Sequence, residues 1–280
     1  MSEPLTAGVV TDLAPGVRRL VAPNPGPMTG PGTNTYLLGR KEVAVLDPGP
    51  FIEAHVAAIR AAAPGPIRWI LVTHTHRDHS PAAQALAELT GALRIGRPPP
   101  PGARQDQGFA PDRNMDDGDR LSTDEFVIRA VHTPGHASNH LCYLHEGLGW
   151  LFTGDHIMNG STVVIDPPDG NMNDYLCSLQ RLKQLELSRL APGHGDLLDD
   201  PDAEIDWIVA HRMEREARVR AALSAYHEKT EEELVSEVYS ELDPHLHAVA
   251  ARSLLAHLIR LEAAGTAHDT GSGWVGVGPQ

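Results

Sequence analysis

The chain has 280 residues, 41% of them hydrophobic, which suits one large domain with a smaller one and a packed core rather than a disordered polymer. Its 37 acidic and 23 basic side chains give a formal charge of −14, which opposes long-range attraction to duplex DNA or anionic membranes. The N-terminal stretch MSEPLTAGVV lacks a basic region followed by an apolar one, and no run approaches the ~18 apolar residues of a membrane span, so a soluble cytoplasmic protein is expected.

Short apolar runs at 35–38, 43–46 and 69–72 predict strands that end at Gly39, at Asp47-Pro48-Gly49 and at a histidine-rich loop. Residues 52–63 predict a helix stopped by Pro64-Gly65-Pro66, and 81–89 another, with Ser80 as N-cap and Pro81 in its first turn. The stretch 97–119 has no periodicity and reads as a long surface connection. Strand patterns return at 126–131, 140–144 and 150–153, followed by a helix at 173–187 and a step at Leu190 into Pro192-Gly193-His194-Gly195. This mixture predicts two packed sheets with helices outside.

Beyond residue 200 the pattern is helical at 203–226, 231–239 and 245–264, the last with Leu254, Leu255, Leu258 and Leu261 on one face. A Gly-closed hairpin around Trp274 completes a winged-helix outline. The domains are therefore expected at 1–221, including a linking helix over 203–221, and at 222–280. Cys142 and Cys177 read as small buried hydrophobes, with no disulfide framework.

The chemistry concentrates in His74-Thr75-His76-Arg77-Asp78-His79, four potential metal ligands within six positions between a strand and a helix. In extended backbone His74 and His76 point to one side, and the following turn lets Asp78 and His79 address a neighbouring point. Imidazoles with carboxylates suit zinc, and also iron or manganese. His136, Asp155 and His194 each follow an apolar strand and small residues, so they repeat one arrangement on a common rim.

Asn34 and Tyr175 are candidates for substrate contact, against roles as a turn residue and a core aromatic. His132, His140 and His156 read as neighbours of ligands rather than ligands. Arg212, Arg215 and Arg218 read as a solvated helix face interleaved with Glu214 and Glu216, with attraction of an anionic substrate as the alternative.

The motif H-x-H-x-D-H at 74–79, with His136, Asp155 and His194 after it, resembles the metallo-β-lactamase superfamily over roughly residues 15–200. The resemblance implies an α+β fold, a four-layer αβ/βα sandwich, here with a small C-terminal winged-helix domain. It implies two zinc ions (iron or manganese in their place), one held by His74, His76 and His136 and the other by Asp78, His79 and His194. Asp155 is expected to bridge them and Asp47 to support the ligand loop. Hydrolysis by a metal-bound hydroxide follows, with Asp78 orienting it and handling its proton. His76 stands where the di-iron oxygen-reducing branch usually has Glu, which favours hydrolysis over redox chemistry.

Asn24-Pro25-Gly26-Pro27, Gly154-Asp155-His156-Ile157 and His211-Arg212 with Arg215-Glu216 resemble the beta-lactamase-like protein 2 group over nearly the whole chain. That likeness suggests phosphodiester hydrolysis of single-stranded RNA. The alternatives are hydrolysis of a small thioester, lactone or other carbonyl ester and, more remotely, a winged-helix DNA-binding regulator. Residues 221–280 carry Lys229, Arg252 and Arg260 against nine acids, leaving no basic stripe for a DNA groove. The expected partners are therefore an ester, a thioester or single-stranded RNA, with no duplex DNA, no membrane, and a homodimer left open.

Overall fold

The computed structural model describes residues 5–277; the first four residues of the N-terminal stretch read for a leader lie outside them. The chain forms two compact units. The first comprises the chain up to Thr133, Asn139–Thr162 and Lys183–Pro201; the second comprises Pro134–Ser138, Val163–Leu182 and the chain from Asp202.

In the first unit, β1 (Val10–Ala14), β2 (Val17–Val21), β3 (Asn34–Leu38) and β4 (Val43–Leu46) run antiparallel, each beside the next. The sheet continues in parallel through β5 (Ile67–Leu71), β6 (Leu93–Gly96) and the two-residue β7 (Arg113–Asn114). Parallel neighbours need crossovers, and α1 (Glu53–Ala62) and α2 (Ala82–Thr90) supply the first two. A second sheet is built from β8 (Arg120–Ser122), β9 (Val127–His132), β10 (Leu141–His145), β11 (Trp150–Gly154) and β12 (Arg189–Pro192). Within it only β11 and β12 are parallel.

Alternation decides which side chains meet. Tyr36, Leu46 and Leu71 from the first sheet share one core with Ile128, Tyr143 and Phe152 from the second. The other face of the first sheet, including Val45 and Ile70, packs on Ile59 of α1 and Leu86 of α2. With both faces covered, β3 and β4 are buried along their whole length, which is why β4 reads as a continuous apolar run.

Several elements differ from the sequence reading. Strands β1, β2, β6, β7 and β8 were not anticipated, and β7 lies within the stretch 97–119 that reads as a surface connection. β1 is largely exposed, and β8 has three residues, so neither presents a clear alternating pattern. The Ser80 hydroxyl donates to Asp106 Oδ2 at 2.8 Å, and α2 starts at Ala82 with no side-chain cap.

In the second unit, α3 (Met172–Leu182) stops five residues before 187, where its buried stripe of Tyr175, Leu176, Leu179 and Leu182 ends. Cys177 lies off that stripe and is exposed, contrary to expectation; Cys142 in β10 is buried. The helix α4 (Pro201–Ala222) leads to α5 (Glu231–Val238), α6 (His247–Ala263) and the hairpin of β13 (Ala267–Asp269) and β14 (Trp274–Gly276). Thr230 and Glu233 close a capping box at the start of α5. Val219, Leu234, Val238, Leu254, Leu258 and Trp274 form the core of this helix–helix–hairpin arrangement, the winged helix that the pattern outlined. Among the described residues no helix is long and apolar enough to cross a membrane.

Candidate metal centre

The first unit gathers its candidate ligands at the C-terminal ends of parallel strands: 72–79 after β5, Asp155 after β11 and His194 after β12. Asp47, immediately after β4, organises the histidine loop from beneath. Its side chain is fully buried. It accepts hydrogen bonds from Thr73 N and Thr73 Oγ1, each at 2.8 Å, and from His79 Nδ1 at 2.9 Å. Because Thr73 Oγ1 is committed as a donor to Asp47, it accepts from His74 Nδ1 at 3.0 Å. One carboxylate thus fixes two imidazoles through their Nδ1 atoms and turns both Nε2 atoms away from it.

His74 Nε2 lies 2.9 Å from His76 Nδ1, so these two rings converge. The chain then turns, with His79 N donating to His76 O at 3.0 Å, and places His79 in a second group. One ligand atom from each of Asp78, His79, Asp155 and His194 falls within 4.8 Å of all the others. His79 Nε2 is 3.3 Å from Asp155 Oδ1; His194 Nε2 is 3.2 Å from Asp78 Oδ2 and 3.3 Å from Asp155 Oδ1. Both Nε2 atoms are buried without a hydrogen bond. His194 donates from Nδ1 to Gly32 O at 3.2 Å, the anchoring pattern of a metal-ligating histidine.

Electrostatics matches this geometry. Burial works to lower the pKa of His79, but the carboxylates of Asp155, Asp78 and Asp47 outweigh it and hold it well above the ordinary value. The same contest, with Asp155 dominant, raises His194 to about 10. Burial works to raise Asp155, and the charges of His194 and His79 hold it well below the usual carboxylate range. The carboxylates make the pocket favourable to positive charge, and its imidazole nitrogens and carboxylate oxygens fit a divalent cation.

Small residues make room for this convergence. A Cβ on Gly193 would lie 2.8 Å from both Asp155 Oδ1 and His79 Cε1, and one on Gly154 would lie 2.6 Å from Thr73 Oγ1. Asn34 is fully buried, and its Nδ2 donates to Pro192 O at 2.9 Å and Gly195 O at 2.8 Å, clamping the His194 turn. Tyr36 Oη donates to Pro192 O at 2.8 Å and reinforces the clamp. Thr73 and Tyr36 were not singled out in the sequence; adjacency to His74 was the available signal for the first, and a hydroxyl in an apolar strand for the second. Asp78 is the most open of the four grouped ligands, with 27% of its side chain exposed. Arg77, beside it, is exposed.

His140 and His156 are buried. His136 belongs to the second unit, where its Nδ1 lies 2.7 Å from Val164 O. Tyr175 is also there, fully buried on α3. The arginines of α4 correct the sequence reading. Arg212 and Arg215 are 3% and 9% exposed, so they form neither a solvated face nor an open phosphate contact. Arg212 donates to Val163 O, and Arg215 donates to Val238 O at 2.6 Å while lying over the Tyr239 ring. Arg218 is exposed and paired with Glu214 and Glu241.

Comparison with known proteins agrees with this architecture. Residues 28–194 match the model of the metallo-beta-lactamase superfamily, and 230–274 match the beta-lactamase associated winged helix domain. The chain is 30% identical over 273 residues to a beta-lactamase-like protein 2 homolog of Drosophila melanogaster, covering 91% of each. It is 30% identical over 218 residues to an atrochrysone carboxyl ACP thioesterase of Aspergillus fumigatus, covering 75% of this chain and 66% of that one. The crystal structure of a beta-lactamase domain protein from Burkholderia ambifaria shares the fold, with a TM-score of 0.83 at 24% identity over 98% of this chain and 95% of that one.

Proposed function

Because the chain belongs to the metallo-β-lactamase superfamily of hydrolases, we propose that it hydrolyses a small thioester or other carbonyl ester at a centre of two zinc ions. The observation that carries the metal-dependent part is the convergence of Asp78, His79, Asp155 and His194, with two buried imidazole nitrogens held free of hydrogen bonds. We assign the second metal to Asp78, His79 and His194, the first to His74, His76 and His136 as the motif order implies, and a bridging role to Asp155. Such a pair supplies Lewis acidity and an activated water at neutral pH. Asp78 is the residue of this group that reaches solvent, and we give it the task of orienting the attacking water and accepting its proton. Asn34 positions His194 through the clamp on its turn.

The carbonyl reading is favoured over phosphodiester hydrolysis by the arginines. Arg212 and Arg215 are buried and donate inside the second unit, which removes two of the three arginines read as possible contacts for a polyanion, and the formal charge of −14 opposes its approach. A relative covering three quarters of this chain is named a thioesterase. The second reading, cleavage of single-stranded RNA, rests on whole-length similarity to the beta-lactamase-like protein 2 group. Cys142 and Cys177 form no disulfide, and Cys177 is exposed, which accords with a proposed cytoplasmic location.

The test offers an acyl thioester and labelled single-stranded RNA to the zinc-loaded chain and to His76→Ala. Thioester turnover that disappears in the variant, with RNA left intact, is the expected outcome. RNA cleavage that disappears in the variant, without thioester turnover, reassigns the substrate.

A further inference from the structure

The His211-Arg212 and Arg215-Glu216 pairs stand out in the sequence, yet the proposed chemistry leaves them unused. Their surroundings in the second unit connect them to His136.

His136 sits on the loop 134–138, which is fastened to 163–182 at successive positions. Ser178 Oγ donates to Pro134 O at 2.8 Å, and Asn171 N donates to Gly135 O at 2.8 Å. Gly135 has φ +141°, and a Cβ there would lie 2.3 Å from Tyr175 Cα, so the loop lies against α3 as only glycine permits. His136 Nδ1 donates to Val164 O at 2.7 Å, which leaves Nε2 as the nitrogen with a lone pair.

The orienting carbonyl lies on 163–165, a stretch with no regular structure whose backbone groups need partners from elsewhere. Those partners come from α4 and α6. Arg212 donates to Val163 O, and Ile165 N donates to Ser253 Oγ at 3.4 Å. Arg252 pairs with Asp166 at 3.5 Å. Arg212 lies over the Tyr175 ring, 5.5 Å from its centroid, so one buried side chain braces both the carbonyl segment and α3.

The two helices are in turn locked to each other. Ser253, His257 and Arg260 recur at helical spacing along α6; Glu216 of α4 accepts from His257 Nδ1 at 3.3 Å and from Arg260.

We infer that α4 and the winged-helix domain act as the positioning element for His136, with Arg212 and Ser253 holding 163–165 so that the Val164 carbonyl aims its imidazole. This rests on the reading of His136 as a metal ligand. The winged helix thereby has a task that requires no nucleic acid: loosening α6 or Arg212 releases the carbonyl, and His136 loses its fixed tautomer and direction. A purely structural role predicts a different result, a general loss of stability that does not distinguish one metal from the other.

The test uses the full chain. Metal is removed, and cobalt(II) is titrated back into wild type, Arg212→Met, Arg212→Lys, Ser253→Ala and His136→Ala, read by absorption and equilibrium dialysis. Wild type should take two equivalents. Arg212→Met and Ser253→Ala should keep one at wild-type affinity and bind the other about 10- to 100-fold more weakly. Arg212→Lys, which keeps a donor, should recover part of the loss. In the metal-free chain the imidazole ¹⁵N shifts of His136 should report one tautomer in wild type and a mixture in Ser253→Ala. Equal affinities for both equivalents in folded Ser253→Ala, or equal weakening of both, would overturn the inference; if Arg212→Met does not fold, Ser253→Ala decides. Two wild-type equivalents in His136→Ala would instead remove the ligand reading on which it stands.

Discussion

Asp47 shows how much one side chain can fix. It occupies a left-handed backbone conformation, φ 49°, which Asp and Asn tolerate better than other non-glycine residues. Its carboxylate accepts from Thr73 twice and from His79. Asp47→Asn keeps the backbone angle and size but places an amide donor among donors. We expect the fold to persist and metal affinity to fall about 10- to 100-fold, measured by competition with a chromophoric chelator. Gly193 offers a complementary test, because a methyl group there meets Asp155 and His79 at 2.8 Å. Gly193→Ala should weaken binding of the metal we assign to His79 and His194 while far-UV circular dichroism stays unchanged; unaltered affinity would count against the close approach. At this scale the candidate ligands were legible because four lie within six residues and the others follow Gly-rich strand ends. The carbonyl of Val164 was not legible, since an orienting backbone group leaves no residue-type signal. Nor was the burial of Arg212, because charge pattern alone favours a solvated face.

At the scale of elements, the two sheets meet through large side chains that alternation sends inward. Phe152 of β11 is fully buried, edge-to-face with Tyr36 of β3 at 4.9 Å. Phe152→Ala should cost about 3–5 kcal/mol in urea unfolding, since removing the ring leaves a cavity between sheets. A loss near zero would mean that this contact is dispensable. Strands such as β3 and β4 were readable from their apolar runs, whereas β1 and β8 depend on pairing with neighbours remote from any local pattern. The α2 start was misread for a related reason: the Ser80 hydroxyl donates to Asp106, 26 residues away, and makes no cap bond with the first N–H groups of the helix.

For the whole molecule, charge and composition limit partners more than they select one. Lys229, Arg252 and Arg260 are the only Lys or Arg residues in 221–280; Lys229 pairs with Glu237, Arg252 with Asp166 and Arg260 with Glu216. With those cations committed, we expect no duplex DNA binding by the full chain near physiological salt, read by fluorescence anisotropy; tight, sequence-dependent binding would contradict this.

We propose that the chain is a metal-dependent hydrolase with two metals. The most direct test is metal content after chelation and reloading, measured by elemental analysis together with thioester turnover in the same samples. We expect about two zinc ions per chain, turnover that vanishes on chelation and returns with metal, and fewer retained ions with no turnover in Asp155→Ala. A folded chain that takes up no transition metal at micromolar concentration, or hydrolyses equally well without it, would rule out a metal-dependent hydrolase.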